Sequence, residues 1–576
     1  MILSTARLAS IPPSRRQLLA DDRPSEVSVP SVSFAPTEVV RAVADSLAAA
    51  AVLHRRGAIE LRHPIELLRT ARDAAALGPA VTTLAHATRV ASSATALIDD
   101  RGPITFEQLD HASNRLANGL AAQGITAETV VGALCRDHRG FILSLLAAGK
   151  LGARIVLLNT GMAGPQLRTV VERERITMLL VDAEFADLFD DLAREVPIIL
   201  TRAGDTDRPG RSTIHAVAAW HSGVPLPAPA SPGGIVVLTS GTTGTPKGAP
   251  RGKVSPLQSA QFLDRIPLPK TSTIVLAAPL FHGTGLSQLI LGWALGNAVV
   301  LLPDRFDPRN TLAAVARHRA SALVLVPTML QRIVDLGEQV LAQYDTSALT
   351  VIFSAGSALA PDLSRRTARH FGEVLYNLYA STEVAVAAVA TPQDLREAPG
   401  TVGRPPVGCR VAIYDEQRRR ITTPGVVGTV FVTSGLSFSG YTDGTGKEMI
   451  DGMCSSGDLG HFDAEGRLFI DGRDDDMIVS GGENVYPLEV ENLLVDRPDI
   501  LEAAVVGVAD RDFGQSLRAY VVRAPGTSCS EREVKEYVRT TLARHKVPRE
   551  VRFVDALPRN ATGKVLRHRL EAVDTP

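Results

Sequence analysis

Lysine is scarce in this chain. Of 61 basic residues in 576, only eight are lysines, at positions 150, 247, 253, 270, 447, 535, 546 and 564. Arginine therefore carries the positive charge, and a lysine inside a glycine-rich loop stands out. Cysteine is scarce too, with Cys135, Cys409, Cys454 and Cys529 far apart and no Cys-x-x-Cys pair. That spacing suggests neither a zinc site nor a disulfide framework, and a reducing, cytoplasmic setting is the expectation. Neither sign of charge dominates: a formal net charge of −1 argues against nucleic acid as a partner and against electrostatic capture by a membrane. The longest apolar run, LILGWALGNAVVLLP at 289–303, is broken by Gly292, Gly296 and Asn297. It is too short to span a bilayer and reads as a helix end, a turn and a buried strand. The N-terminus lacks the basic–apolar–small pattern of a signal peptide. What remains, 45% hydrophobic and 21% charged residues, is a globular composition long enough for two or three domains.

Residues 1–36 are rich in Pro, Ser and Arg and read as weakly ordered; residues 37–90 read as helices. In HPIELLRTARDAAALGP, Pro64 suits a first helical turn and Gly78 the position after the last. Such a helix caps the body or touches a membrane surface, and its polar face, carrying both signs, favours the body. Further on, apolar strands (TVVGALC, ARIVLLN, ALVLVP, LTVIFSAG) alternate with helical patterns such as RGFILSLLAAGKLG. That alternation predicts α/β layers around parallel sheet. From about residue 400, VGCRVAIYD, GTVFVTS and RLFIDGR are short strands between Gly and Pro turns, and predict a β-rich subdomain. After GRDDDMIVSGGENVYP the pattern becomes α+β. The fold class is therefore α/β, with an N-terminal extension at 1–89, a large domain at 90–474 and a small α+β domain at 475–576.

The stretch LTSGTTGTPKGAPR, 238–251, follows an apolar strand with hydroxyls, glycines and a lysine. Ser240, Thr242, Thr243 and Thr245 offer hydroxyl donors, Gly241 and Gly244 let backbone N–H groups approach oxygens, and Lys247 adds a point charge. This is phosphate chemistry. It is not a Walker A loop: counted from Gly241, Pro246 stands where the second glycine belongs and Gly248 where Ser or Thr would hold Mg²⁺. A second near-match, GYTDGTGKEM at 440–449, has Tyr441 out of place and Glu448 facing any phosphate, and reads as a surface turn.

TSGTTGTPKG, from Thr239, resembles the signature loop of the adenylate-forming enzymes, which include acyl-CoA synthetases, peptide-synthetase adenylation domains and luciferases. Further motifs follow in the family's order. PLFHGTG resembles its aromatic–His segment and would set Phe281, His282, Gly283 and Gly285 at the acyl pocket. SAGSALAP resembles the adenine turn, with Gly356, Ser357 and Ala358 along the purine. YNLYASTE resembles the N-x-Y-G-x-T-E motif, with Ala380 in place of its glycine. Asn377 and Tyr379 would lie at the adenine, Thr382 at phosphate, and Glu383 would hold Mg²⁺. SSGDLGHFDAEGRLFIDGR would place Asp458 on both ribose hydroxyls and Arg473 beside it. Asp475 takes the place of the family's hinge, Ser480, Gly481 and Gly482 that of its pantetheine tunnel, and Lys564 in LPRNATGKVLR that of its C-terminal lysine. The resemblance covers residues 90–570.

It implies two steps. A carboxylate attacks the α-phosphate of ATP and pyrophosphate leaves; the thiol of coenzyme A then attacks the acyl-adenylate and AMP leaves. Lys564 serves the first step and a rotated, mobile C-terminal domain the second. Coenzyme A is the favoured acceptor, because residues 528–576 hold 11 basic against 7 acidic side chains, suited to its phosphates. Between His282 and Asp304 no Lys or Arg awaits a second carboxylate. The resemblance thus points to a long-chain fatty acid–CoA ligase using ATP and Mg²⁺. An aryl-acid CoA ligase and an acyl-AMP ligase serving a carrier protein stand as alternatives.

Overall fold

The structure, a computed structural model, describes residues 36–59, 63–192, 195–202, 211–239, 247–251, 259–381, 384–434, 446–473, 476, 478–480, 483–510, 514–542, 546–560 and 563–570. Of the described residues, those from 46 onward belong to one compact unit, and 36–45, the start of a helix, to the other.

The two predicted α/β layers are two sheets. In the first, Ser212–Thr213, Ile198–Leu200, Met178–Val181, Val130–Leu134, Arg154–Leu157 and Ile235–Thr239 run parallel in that spatial order, and Lys247–Arg251 closes the edge antiparallel. In the second, the parallel strands are Leu375–Ser381, Val351–Ala355, Ala322–Leu325, Thr273–Leu276, Ala298–Leu301 and Thr95–Asp99. Antiparallel Ala385–Ala390 and Gly102–Thr105 flank them. Central strands such as Met178–Val181, Ala322–Leu325 and Val351–Ala355 are buried along their whole length. Helices cover both faces of a parallel sheet, which is why these strands read as unbroken apolar runs. The 289–303 run resolves as read: the Gly283–Ala294 helix, a left-handed turn at Gly296 (φ 71°), and the Ala298–Leu301 strand.

The β-rich region is an antiparallel sheet in which Met453–Phe462 pairs with both Gly428–Thr433 and Leu468–Arg473. The α+β region is a sheet of Gly514–Arg523 flanked by Ile478–Ser480, Ile500–Asp510 and Glu550–Phe553, backed by the Pro487–Val495 and Glu531–Thr541 helices. It has a core of its own around Val490, Val505, Val521 and Val538. Arg365 on the large α/β body pairs with Asp496 across the junction at 3.0 Å.

Three helices lead into the body: α1 (Pro36–Arg55), α2 (Pro64–Leu77) and α3 (Pro79–Ala91). Pro64 occupies the first turn of α2 and Gly78 (φ 75°) its C-cap, as the sequence predicts. Ala49, Val52 and Leu53 bury one stripe of α1, and Arg56 donates to the carbonyl of Leu263 at 2.8 Å. Helix α3 buries Ala80, Val81, Leu84 and Ala87. Helix α2 buries none of its residues.

Candidate active site

A cavity of about 1460 Å³ opens where the two large sheets, the β-rich sheet and the C-terminal region meet. Ligand pockets generally measure about 300–1,000 Å³, so this one has room for two substrates end to end. Carboxyl ends of parallel strands point into it, the usual place for a ligand in an open α/β sheet.

One end is polar. Asp458 and Arg473 lie directly opposite each other on paired strands, with Arg473 Nη1 3.5 Å from Asp458 Oδ1. The Tyr379 hydroxyl donates to Asp458 Oδ2 at 2.5 Å. Ser456 fixes the strand beneath: its hydroxyl donates to the Val430 carbonyl at 3.0 Å and accepts from the Asp458 N–H at 3.1 Å. Burial raises the Asp458 carboxyl above its ordinary value, against the smaller downward pull of Tyr379, Arg473 and Lys564. Burial, then the Asp458 charge, drive the Tyr379 hydroxyl well above its ordinary value, so it stays a donor. Gly356 (φ 104°), Ser357, Ala358 and Asn377 line the same end. The Ser357 hydroxyl and the Asn377 side-chain carbonyl are buried there without a hydrogen-bond partner. Buried polar atoms seldom stay unsatisfied, and an amide oxygen can accept from the exocyclic amine of a purine.

Lys564 reaches this end from the C-terminal region. It sits in a turn made by Gly563 (φ 78°), where the Lys564 N–H donates to Asn560 Oδ1 at 2.8 Å. The turn is pressed onto the large body: a β-carbon on Gly563 would stand 2.1 Å from the Thr328 hydroxyl.

The other end is apolar and follows the Gly283–Ala294 helix, with His282 and Gly283 at its start and Leu286, Ile290 and Leu291 along it. His282 packs on Phe281 at 4.5 Å between ring centroids, and its Nε2 is buried without a partner. Burial lowers its imidazole to about 4, which keeps it neutral at physiological pH. The loop before it is held from the first sheet, where Asp137 Oδ1 accepts the Leu280 N–H at 2.9 Å.

Phe281 and Gly285, expected at the acyl pocket, do not line the cavity. Phe281 turns into the hydrophobic core, and Gly285 faces the Pro279 carbonyl, 2.3 Å from where a β-carbon would be. Ser480, expected at the pantetheine tunnel, is buried on its strand outside the lining. Thr239, at the carboxyl end of the Ile235–Thr239 strand, pairs with Lys247 on the antiparallel edge strand. Ser240, Gly241, Thr242, Thr243, Gly244, Thr382, Glu383, Asp475, Gly481 and Gly482 lie outside the described residues.

The surface-turn reading of GYTDGTGKEM is corrected at its described end. Gly446 and Lys447 line the cavity, and Lys447 Nζ lies 3.3 Å from where a β-carbon on Gly457 would be. Glu448 turns away to pair with Arg418 at 2.8 Å. Strand pairing is the cause: Met449 lies opposite Cys454, so Lys447 comes level with the Asp458 segment. The apolar reading of the 282–304 window also holds only for that window, because Lys270, His63, Glu66 and His86 line the cavity as well. Lys270 escaped because it precedes the helix, although Thr271 donates its N–H to the Leu295 carbonyl at 3.0 Å.

Comparison with known proteins gives the same architecture a family. Residues 84–442 match the profile of the AMP-binding enzymes and residues 489–564 that of the AMP-binding enzyme C-terminal domain. The chain is 33% identical over 475 residues to an indoleacetate–CoA ligase of Aromatoleum aromaticum, covering 80% of this chain and 91% of that one. It is 32% identical over 488 residues to a feruloyl-CoA synthase of an Amycolatopsis species, covering 84% and 95%. A crystal structure of an anthranilate CoA ligase with anthranoyl-AMP superposes with a TM-score of 0.77 at 27% identity, covering 86% and 96%.

Proposed function

This chain belongs to the AMP-binding enzyme family, and from that premise we propose that it is an AMP-forming ligase joining an aromatic carboxylic acid to coenzyme A. One observation carries the proposal. A single cavity joins a buried carboxylate–phenol pair, Asp458 and Tyr379, to an apolar wall, with Lys564 of the C-terminal turn at the carboxylate end. Asp458 suits a ribose diol, and the unpaired acceptor of Asn377 suits an adenine amine. The similarity to ligases of indoleacetate and ferulate supports an aryl acid over the straight-chain fatty acid that the motifs alone suggest. The apolar length of the cavity keeps the fatty acid as the second reading.

In the first step a carboxylate oxygen bonds to the α-phosphorus of ATP as the bond to pyrophosphate breaks. Charge grows on phosphate oxygens, so fixed cations and aimed N–H groups serve it better than a proton shuttle. We assign that role to Lys564 and Lys247. His282, neutral, borders the carboxylate without adding charge. Mg²⁺ screens the phosphates when bound. The resemblance gives one carboxylate, Glu383, which with the phosphates themselves would hold the ion. In the second step the thiol of coenzyme A bonds to the acyl carbon and AMP departs.

The test is pyrophosphate release with aryl, arylalkanoic and straight-chain acids, with and without coenzyme A. Aryl acids should give the highest kcat/KM and an acyl-CoA product. Release that ignores coenzyme A while acyl-AMP accumulates would instead favour delivery to a carrier protein.

A further inference from the structure

Nucleotide groups account for only one end of the cavity. The lining follows the Gly283–Ala294 helix past its end to Leu295 and Gly296. The twelve residues of that helix extend about 18 Å at ~1.5 Å per residue, far beyond the reach of a single-ring acid whose carboxylate sits at His282.

The floor at the far end is built from residues that precede the family match, which begins at residue 84. Gly57 and Ala58, just after α1, and Leu67, Thr70 and Ala74 on α2 line the cavity. The three on α2 follow at spacings of three and four, which makes them one stripe of that helix. Two contacts fix the depth. A β-carbon on Gly57 would stand 3.0 Å from Lys270 Nζ, and the neighbouring Thr271 is bonded to Leu295 at the end of the long helix. Gly78, which ends α2, sits against Pro232, 3.5 Å from where its β-carbon would be. Pro232 lies just ahead of the Ile235–Thr239 strand, at that strand's amino end.

An amphipathic helix normally buries its apolar stripe on the body. Helix α2 does not: none of its residues is buried. It is tied to α3 instead, where Arg89 reaches Glu66 at 3.2 Å and Asp73 at 3.0 Å. Its inner stripe therefore borders space that a ligand can fill.

We infer that α2 is the floor of the acid pocket and sets the length of acid the protein accepts. The inference rests on the ligase reading and deepens it. The acid has an extended, largely apolar body, its carboxylate near His282 and Lys564 and its far end against Thr70 and Ala74. An arylalkanoic acid and a long aliphatic acid share that chemistry.

Thr70→Trp and Ala74→Trp, each in the full chain, would raise the floor. Pyrophosphate release is measured with graded ω-phenylalkanoates and, separately, graded straight-chain acids; the series that the parent prefers identifies the source of the apolar body. The ratio of kcat/KM for the longest acid turned over by the parent to that for the shortest should fall roughly tenfold or more, the scale on which a pocket discriminates by size. Leu67→Ala, which lowers the floor, should move the ratio the opposite way, and it carries the test if the tryptophan variants fail to fold. Equal losses for short and long acids, or no change in the ratio, would overturn the floor. A parent inactive on every acid would overturn the ligase reading itself.

Discussion

Lys564→Ala should separate the two half-reactions. The turn that carries the side chain is held without its ammonium group: Gly563 supplies the left-handed turn, the Asn560 N–H donates to the Lys564 carbonyl at 2.9 Å, and Arg559 donates to the Gly563 carbonyl at 2.5 Å. Truncation thus removes the charge and leaves the turn on Thr328. The charge acts at the nucleotide end, where it helps pull down the buried Asp458 carboxyl. Removing one fixed group that stabilises developing charge costs about 10²–10³ in rate. Lys564 is exposed, so water screens part of its field, and the lower end of that range, about 100-fold, is expected. The assay pairs pyrophosphate release from ATP and acid with thioester formation from synthetic acyl-AMP and coenzyme A. The first should fall and the second should hold. Equal losses in both would refute the reasoning, because the lysine would then serve the fold or both steps alike. Gly563→Val offers a check by another route: it leaves the lysine in place but collides with Thr328, and should depress the same half-reaction.

Asp458→Asn keeps the shape but loses the carboxylate that would take both ribose hydroxyls. The KM for ATP should rise roughly 10- to 100-fold, the scale of a hydrogen bond to a charged group, as read by steady-state kinetics at saturating acid. His282 binds a proton at about 4 when folded and near 6.5 when unfolded. Between those values the unfolded chain holds more protons, so stability falls as pH drops from 6.5 to 4, by roughly 3 kcal/mol in full. His282→Gln should flatten that slope in unfolding midpoints measured across the interval; an unchanged slope would mean the imidazole is not shielded. Lys447→Ala should raise the KM for ATP by roughly threefold to tenfold without altering the choice of acid, as seen in the acid panel.

Sequence patterns located most of the scaffold because local chemistry decided it. Pro64 and Gly78 bound α2, Gly296 breaks the 289–303 run, and the β-branched strands fell where fully buried parallel strands belong. Asp458, Arg473, Tyr379, Asn377 and Lys564 are drawn from three distant motifs yet share one end of the cavity. Side-chain direction was less legible. Phe281 and His282 are neighbours, but only the histidine borders the cavity, and Gly285 serves a close approach of backbone. Lys447 was hidden because its placement depends on the pairing of Met449 with Cys454. The contribution of α2 was hidden for a similar reason: its stripe looks like one made for a core, and nothing local says that the space behind it stays open.

The cavity takes its wall from Leu53 at one extreme of the described chain and Arg567 at the other. A nascent polypeptide still emerging from the ribosome can therefore fold its first sheets without owning a working centre. If Lys564 serves the first step as proposed, a chain released before its C-terminal turn is complete should spend ATP no faster than Lys564→Ala does.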